Sequence, residues 1–315
     1  MALGGAACAP LEFPAGPRTA PARLEPDAFV TADGARLPLR AWLPEGDARA
    51  VVLALHGFND YGSAFEAPAQ VLVRHGIATY AYDQRHFGAN PDPGLWPGAA
   101  TLAQDARDAF ALVAARHPDA PVFLLGESMG GAVALLALDG AGGLRPAGVI
   151  LAAPALWGWS TLTPLYKATL WLTAHVAPGA RFSARGLNIQ ASDNIPMLRA
   201  LGADSLVIKE TRADAIWGLV HLMDAALAAP PADGVPMLLL YGANDQIIPP
   251  GPTRAFARRL GSRQRLAYYG TGWHMLLRDL RADIVLHDAA AWIADPDAAL
   301  PSAADRAAAQ FLAAP

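Results

Sequence analysis

The sequence predicts an α/β fold: a mostly parallel central sheet flanked by helices, with a mainly helical cap inserted into it. Three observations predict this. Apolar runs alternate with stretches of helical spacing between residues 51 and 152, and again between 236 and 294. Repeated β–α units of this kind build parallel sheets. Residues 126–130 read Gly-Glu-Ser-Met-Gly, set between the apolar run 122–125 and the helix-forming run AVALLALD. That is the strand–turn–helix setting that a G-x-S-x-G motif requires. Finally, the alternation breaks between Pro154 and Pro236, as an insertion would break it.

Residues 1–26 are rich in Pro, Ala and Gly and predict a flexible leader. The runs 29–31 and 37–42 flank an Asp33-Gly34 turn and predict a hairpin. A strand over 51–55, a helix around 64–75 and a strand over 78–82 follow. The stretch 99–116 puts Leu102, Ala106, Ala109, Phe110 and Val113 on one helical face. Asp105 and Asp108 lie off that face and are expected to be solvated. A strand over 122–126, a helix over 129–139 and a strand over 148–152 complete the first half. In the insertion, residues 155–180 are apolar and aromatic, 181–204 read as polar loop, and 213–227 resume helical spacing. An insertion here lies over the strand ends. Residues 155–231 are therefore read as a cap that walls a pocket, with Trp157, Trp159 and His221 as candidate pocket or cap residues. Packing the cap onto the core is the first reading of its tryptophans, and contact with a lipid surface the second. The core then comprises residues 27–154 and 232–295. Its second part holds strands over 236–241 and 265–269 and helices around 252–260 and 279–294. Residues 296–315 read as an Ala-rich tail without assigned structure.

The turn after residue 125 is sharp enough to hold Ser128 in a strained conformation. Gly126 and Gly130 give the backbone room, and Glu127 completes the elbow. The serine hydroxyl is thereby exposed at the carboxyl end of a sheet. A serine is a poor nucleophile unless a neutral imidazole takes its proton and a carboxylate orients that imidazole. In this architecture the chain order is Ser, then Asp or Glu, then His. Asp245 follows a buried strand, and His274 follows a later one on a Gly-rich loop. Both fall at the sheet edge where open α/β sheets place ligands. Of the eight histidines, only His274 lies after Asp245 on such a loop; His287 sits in a helical pattern, and His75 and His117 mark helix ends. Stabilising an oxyanion needs two N–H donors, one after the nucleophile and one from an early loop. Met129 supplies the first. The loop His56-Gly57-Phe58 after strand 51–55 supplies the second from Phe58, with His56 bracing the loop.

These segments together resemble the α/β-hydrolase superfamily, and most closely its monoacylglycerol lipase and lysophospholipase branch. The residues that carry the resemblance are LHGFND, YDQRHFGAN, GESMGG, LYGANDQIIPP and GWHMLL, in family order, over roughly residues 28–295. The resemblance implies a Ser128–Asp245–His274 triad, an oxyanion hole at Phe58 and Met129, no metal and no organic cofactor. It implies an acyl-binding pocket and hydrolysis of acyl esters, such as monoacylglycerols or lysophospholipids, through an acyl-enzyme. An acyltransferase, an amidase or peptidase of the same fold, and a non-catalytic lipid-binding protein are the rival readings. One departure stands out. Family members commonly carry Arg-Gly-x-Gly where this chain has Arg85-His86-Phe87-Gly88, which leaves the conformation of that loop open.

Composition narrows the partners. The chain has 315 residues, 53% hydrophobic and 17% charged, with a formal net charge of −4. A large core and an ordered chain follow. No basic stripe recurs, so nucleic acid is not an expected partner, and no obligate protein partner is implied. No apolar run reaches the roughly 18 residues of a membrane span. The lone cysteine, Cys8, follows small residues and precedes Ala-Pro. That pattern resembles the cut site of a bacterial lipoprotein with its signal removed. A lipid on Cys8 would place the protein at a periplasmic membrane; otherwise a cytoplasmic location is expected, and the cap is the other route to peripheral membrane association.

Overall fold

The structure is a computed structural model that describes residues 9–140, 142–183, 186, 188–230, 232 and 234–313. Cys8 lies outside the described residues. Three strands come first: β1 (Arg23–Leu24), β2 (Ala28–Val30) and β3 (Arg36–Trp42). The alternating part holds β4 (Ala50–Leu55), α1 (Glu66–Arg74), β5 (Ile77–Tyr82), α2 (Ala99–Arg116), β6 (Val122–Glu127), α3 (Met129–Leu138) and β7 (Gly148–Ala152). The inserted segment contributes α4 (Pro164–Val176), β8 (Arg181–Phe182), α5 (Ile195–Ala203), β9 (Thr211–Arg212) and α6 (Ala213–Ala228). The chain closes with β10 (Met237–Gly242), α7 (Pro250–Ala257), β11 (Gln264–Tyr269), α8 (Ala282–Ala294) and α9 (Ala304–Ala313).

The described strands form a nine-stranded sheet in the order β1-β2-β3-β5-β4-β6-β7-β10-β11, and β8 pairs with β9 separately. From β5 to β11 the pairing is parallel, and β1, β2 and β3 are antiparallel. Every residue of β4, β5, β6, β7 and β10 is buried, which explains their unbroken apolar runs. Successive side chains serve opposite layers. Val51, Leu53 and Leu55 join the core under α2, α3 and α6, and Val52 and Ala54 join the one under α1 and α8.

Four local expectations need correction. Asp105 is not solvated: it is 4% exposed and accepts from Arg85 Nε at 2.5 Å. Asp108 instead takes the Arg18 guanidinium at 2.7 Å. That contact, and the Phe13 N–H bond to the Trp96 carbonyl at 2.8 Å, hold the described part of the leader on the body. In the insertion, α5 occupies part of the stretch read as loop. Asn194 caps it by accepting from Met197 N–H; the nine-residue helix buries no residue and carries Pro196 and Gly202, which read as loop signals. At the C-terminus, α9 buries Ala304, Ala308 and Phe311. Phe311 lies against Tyr241 and Tyr268 with ring centroids 5.1 and 5.0 Å away.

Candidate active site

Parallel strands end on one edge of the sheet, and the loops that leave β4, β6, β10 and β11 gather there. Their ends are level: Leu55 pairs with Gly126, Glu127 with Ala152, and Gly242 with Tyr269. Ser128 follows β6 directly, with φ 52° and ψ −116°. This is a sparsely populated region for an L-residue and costs of order 1–3 kcal/mol. The fold holds it there by fixing both peptide groups: Ser128 N–H donates to the Ala152 carbonyl at 3.0 Å, and its own carbonyl accepts from Gly131 and Ala155 N–H, each at 2.9 Å. The flanking glycines are sterically required. A Cβ on Gly130 would lie 2.0 Å from the Leu55 carbonyl oxygen, and one on Gly126 would lie 2.4 Å from that of Gly130.

Ser128 Oγ lies 3.0 Å from His274 Nε2, and His274 Nδ1 lies 2.9 Å from Asp245 Oδ2. Asp245 also accepts N–H bonds from Ile247 and Ile248 at 2.8 and 2.9 Å, and its side chain is fully buried. A carboxylate taking two backbone donors is acceptor-only, so His274 Nδ1 carries the proton and Nε2 faces the serine hydroxyl as acceptor. Ser128, Asp245 and His274 are thus brought together from three loops. Phe58 and Met129 line the same cavity as Ser128 and His274. Gly57 carries the early loop close by: a Cβ there would sit 3.4 Å from the Ser128 Cβ. Met129 opens α3, so its N–H belongs to the positive end of a helix dipole.

His56 braces the loop beyond β5. Its buried ring accepts from Gln84 N–H through Nε2 at 2.9 Å, which leaves Nδ1–H to donate to the Gly57 carbonyl at 2.8 Å. Burial pushes the imidazole pKa down, so the ring stays neutral. His86, at the position where the resemblance expects glycine, adopts φ 62°. The conformation survives the side chain because Asp83 and Asn90 anchor the loop: Asp83 accepts from Ala89 N–H at 3.0 Å, and Asn90 Nδ2 donates to the Asp83, Gln84 and Phe87 carbonyls.

The cavity has a volume of about 340 Å³. Trp157, Leu219, Val220, Met223 and Ile247 give it an apolar wall. Trp159 and His221 do not line it. They belong to an aromatic ladder in the inserted segment, where Trp159 stacks on His221 at 5.6 Å and His221 meets Trp217 at 4.4 Å. His175 lies 5.0 Å from Trp217 and 4.4 Å from Trp171.

The polar end of the cavity holds an ion cluster that sequence reasoning missed. Arg278 Nη2 lies 2.8 Å from Asp60 Oδ2 and 2.9 Å from Glu127 Oε2. Arg278, Asp60 and Glu127 are 9, 6 and 2% exposed. Burial drives the Glu127 carboxyl up against the pull of Arg278. The sequence marks Glu127 only as part of the elbow. A charge closing HMLLR, and another closing HGFND, were the available signals. The histidine loop is also sewn to the insertion. Asp279 accepts from Ser192 Oγ at 2.6 Å and Trp273 N–H at 2.8 Å, and Met275 N–H donates to the Ala191 carbonyl at 3.0 Å.

Comparison with known proteins follows the same lines. A family model described as serine aminopeptidase, S33, matches residues 46–281. A monoacylglycerol lipase of Mycolicibacterium smegmatis is 27% identical over 276 residues, covering 84% of this chain and 95% of its own. The human monoglyceride lipase is 25% identical over 274 residues, covering 84% and 89%. Among solved structures, a soluble variant of the Saccharomyces cerevisiae monoglyceride lipase, in complex with a substrate analog, superposes with a TM-score of 0.73 at 21% identity. The match covers 91% of this chain and 99% of that one. The Paleococcus ferrophilus monoacylglycerol lipase gives 0.67 at 20% identity, covering 83% and 99%. The fold is the α/β-hydrolase fold, and the protein is a serine hydrolase of the lipase and esterase type. Within that class, the chain belongs to the family described as serine aminopeptidase, S33.

Proposed function

We propose that this protein hydrolyses acyl esters of the monoacylglycerol and lysophospholipid kind, with Ser128, His274 and Asp245 as its catalytic triad. The observation that carries the reading is the pair of contacts at 3.0 and 2.9 Å, Ser128 Oγ to His274 Nε2 and His274 Nδ1 to Asp245, opening on a largely apolar cavity. Ser128 Oγ attacks the ester carbonyl carbon as its proton passes to His274 Nε2. The Phe58 and Met129 N–H groups hold the oxyanion. When the intermediate collapses, the ester C–O bond breaks and the alcohol leaves with the proton from His274. Water then attacks the acyl-enzyme, gives a proton to His274 and releases the acid as that proton returns to Ser128. Asp245 keeps the imidazole in the needed tautomer and stabilises its charged form.

Residues 155–231 act as the cap over this site, and Ala155, Trp157, Ile216, Leu219, Val220 and Met223 are its contribution to the cavity wall. Peripheral contact with a lipid surface is assigned to α4, where Leu165, Tyr166, Trp171, Leu172 and Val176 are exposed. Sedimentation with phosphatidylcholine vesicles tests it, using Leu172→Asp as the comparison.

Ser128→Ala should lower kcat on monoacylglycerol by a factor on the order of 10⁴–10⁶ with an unchanged circular-dichroism spectrum. Near-normal turnover in that variant overturns the assignment. Amide hydrolysis is the second reading, favoured by the description of the family. A p-nitrophenyl ester run beside the matching p-nitroanilide separates the two.

A further inference from the structure

The turn that carries Phe58 is closed by one long bond of its own and held by two from outside. Asp60 N–H donates to the Gly57 carbonyl at 3.3 Å. Asn59 has φ 65°, while Phe58 keeps a negative φ. That is the pattern of a type II turn, whose third residue must be left-handed. Asparagine tolerates the left-handed region better than most residues with a side chain, but nothing within the turn keeps it there.

Both outside bonds come from the inserted segment. The Asn59 carbonyl accepts from Ile208 N–H at 2.9 Å, and Asn59 Nδ2 donates to Thr211 Oγ1 at 2.6 Å. Two residues further on, Tyr61 Oη donates to Asp204 Oδ2 at 2.7 Å. The anchor is itself tied. Asp204 accepts from Leu206 N–H at 2.8 Å, and the Lys209 ammonium donates to the Asp204 and Val207 carbonyls. Thr211 opens β9, where it pairs with Phe182 of β8.

The constraint reaches the Gly57–Phe58 peptide. Its carbonyl accepts from His56 Nδ1–H at 2.8 Å as well as from Asp60 N–H. In a trans peptide the N–H points away from the carbonyl, so fixing one edge aims the other. The Phe58 N–H has no acceptor among the described residues, and Phe58 lines the cavity at Ser128. His56 holds this peptide from the core. The Asp60 bond holds it only while Asn59 stays left-handed.

We infer that Asn59 is a positioning residue for the oxyanion hole, and that Thr211 and Ile208 make the inserted segment part of the geometry of that hole. This rests on the hydrolase reading above. Asn59 touches no reacting atom; it acts through the Phe58 N–H. Because the oxyanion exists only on the way over the barrier, loosening the turn should lower kcat and leave KM in place.

The test is Thr211→Val, which keeps the side-chain shape and removes the hydroxyl that Asn59 Nδ2 meets. Outright loss of an oxyanion donor costs about 10²–10³ in kcat, so a donor present but displaced should cost about tenfold, with KM within about twofold of wild type. A short alkyl trifluoromethyl ketone is the second probe. Ser128 Oγ adds to its carbonyl carbon, His274 takes the proton, and the ketone oxygen becomes the anion in the hole. Its inhibition constant should rise by the factor by which kcat falls. Thr211→Ser keeps the hydroxyl and should recover most of kcat. Asn59→Gly keeps the backbone freedom but loses the same bond. Combined with Thr211→Val it should cost no more than either change alone, and it stands in for Thr211→Val if that variant fails to fold. A kcat within about twofold of wild type in both single variants, a fall in kcat without the matching rise in the inhibition constant, or additive losses in the double variant overturns the inference. Failure of the hydrolase reading is distinguishable: there Ser128→Ala keeps its turnover, whatever the Thr211 variants do.

Discussion

Arg278→Met is the perturbation that most directly probes how the site is held together. Arg278 joins three loops: Glu127 adjoins Ser128, Asp60 lies two residues after Phe58, and Arg278 lies four after His274. At the observed 2.8 and 2.9 Å, each contact carries a gross attraction of about 6 kcal/mol at an effective dielectric of about 20. Desolvation of three buried groups cancels much of that. Removing one side of such a cluster strands the others and costs about 3–5 kcal/mol, a large share of the roughly 5–15 kcal/mol that keeps a domain folded. The loss should depend on pH in a definite sense. Burial raises the Glu127 carboxyl, so a proton on it favours the folded state. That contribution is complete below the unfolded value and is lost as pH rises through the folded one. Without Arg278 the folded value climbs further. Urea unfolding should therefore find the variant closer to wild type at about pH 5 than at about pH 8. An equal loss at both, or none at the higher pH, refutes the reasoning.

Other expectations follow from single contacts. Asp279 is raised to about 6 by burial, from 3.8; its protonation supports the fold below about 4, and that support is lost as pH rises through about 6. The stability of wild type relative to Asp279→Asn should fall across that window by about 1–3 kcal/mol once solvent screening is allowed for, measured by thermal unfolding against pH; a constant difference refutes it. Phe311→Ala should cost about 3 kcal/mol or more in urea unfolding, because its ring fills the gap between Tyr241, Tyr268 and the Arg254 guanidinium 4.9 Å from its centroid. A loss below about 1 kcal/mol would show α9 to be loosely attached.

What could be read from the sequence had a local cause. Buried parallel strands are continuous apolar runs, and a nucleophile elbow needs its glycines within two residues of the serine; both are visible in a window of ten. The loop order also survives in the chain, so the meeting of Ser128, Asp245 and His274 could be anticipated without coordinates. The Arg278 cluster could not. Its three members lie up to 218 residues apart, and nothing near any of them says that their charges are buried together. Asp105 misled for the same reason: it lies beside Ala106 in the sequence, and only the fold brings Arg85 to it. The α5 helix is nine residues long and contains Pro196 and Gly202, so loop signals outweigh its short apolar spacing. The α9 helix does have a buried face, at 304, 308 and 311, and its alanine content hid it. His86 makes the converse point. A side chain where the resemblance expects glycine puts the loop in question, yet the loop keeps its left-handed residue because bonds to Asp83 and Asn90 over-determine it. The proposed reacting groups are legible because each follows a strand end. The groups that hold their loops in register are hidden because their partners come from elsewhere in the chain. Substitutions at Asp60, Glu127 and Arg278 should therefore disturb the site more than their distance in sequence from the nucleophile or the histidine suggests.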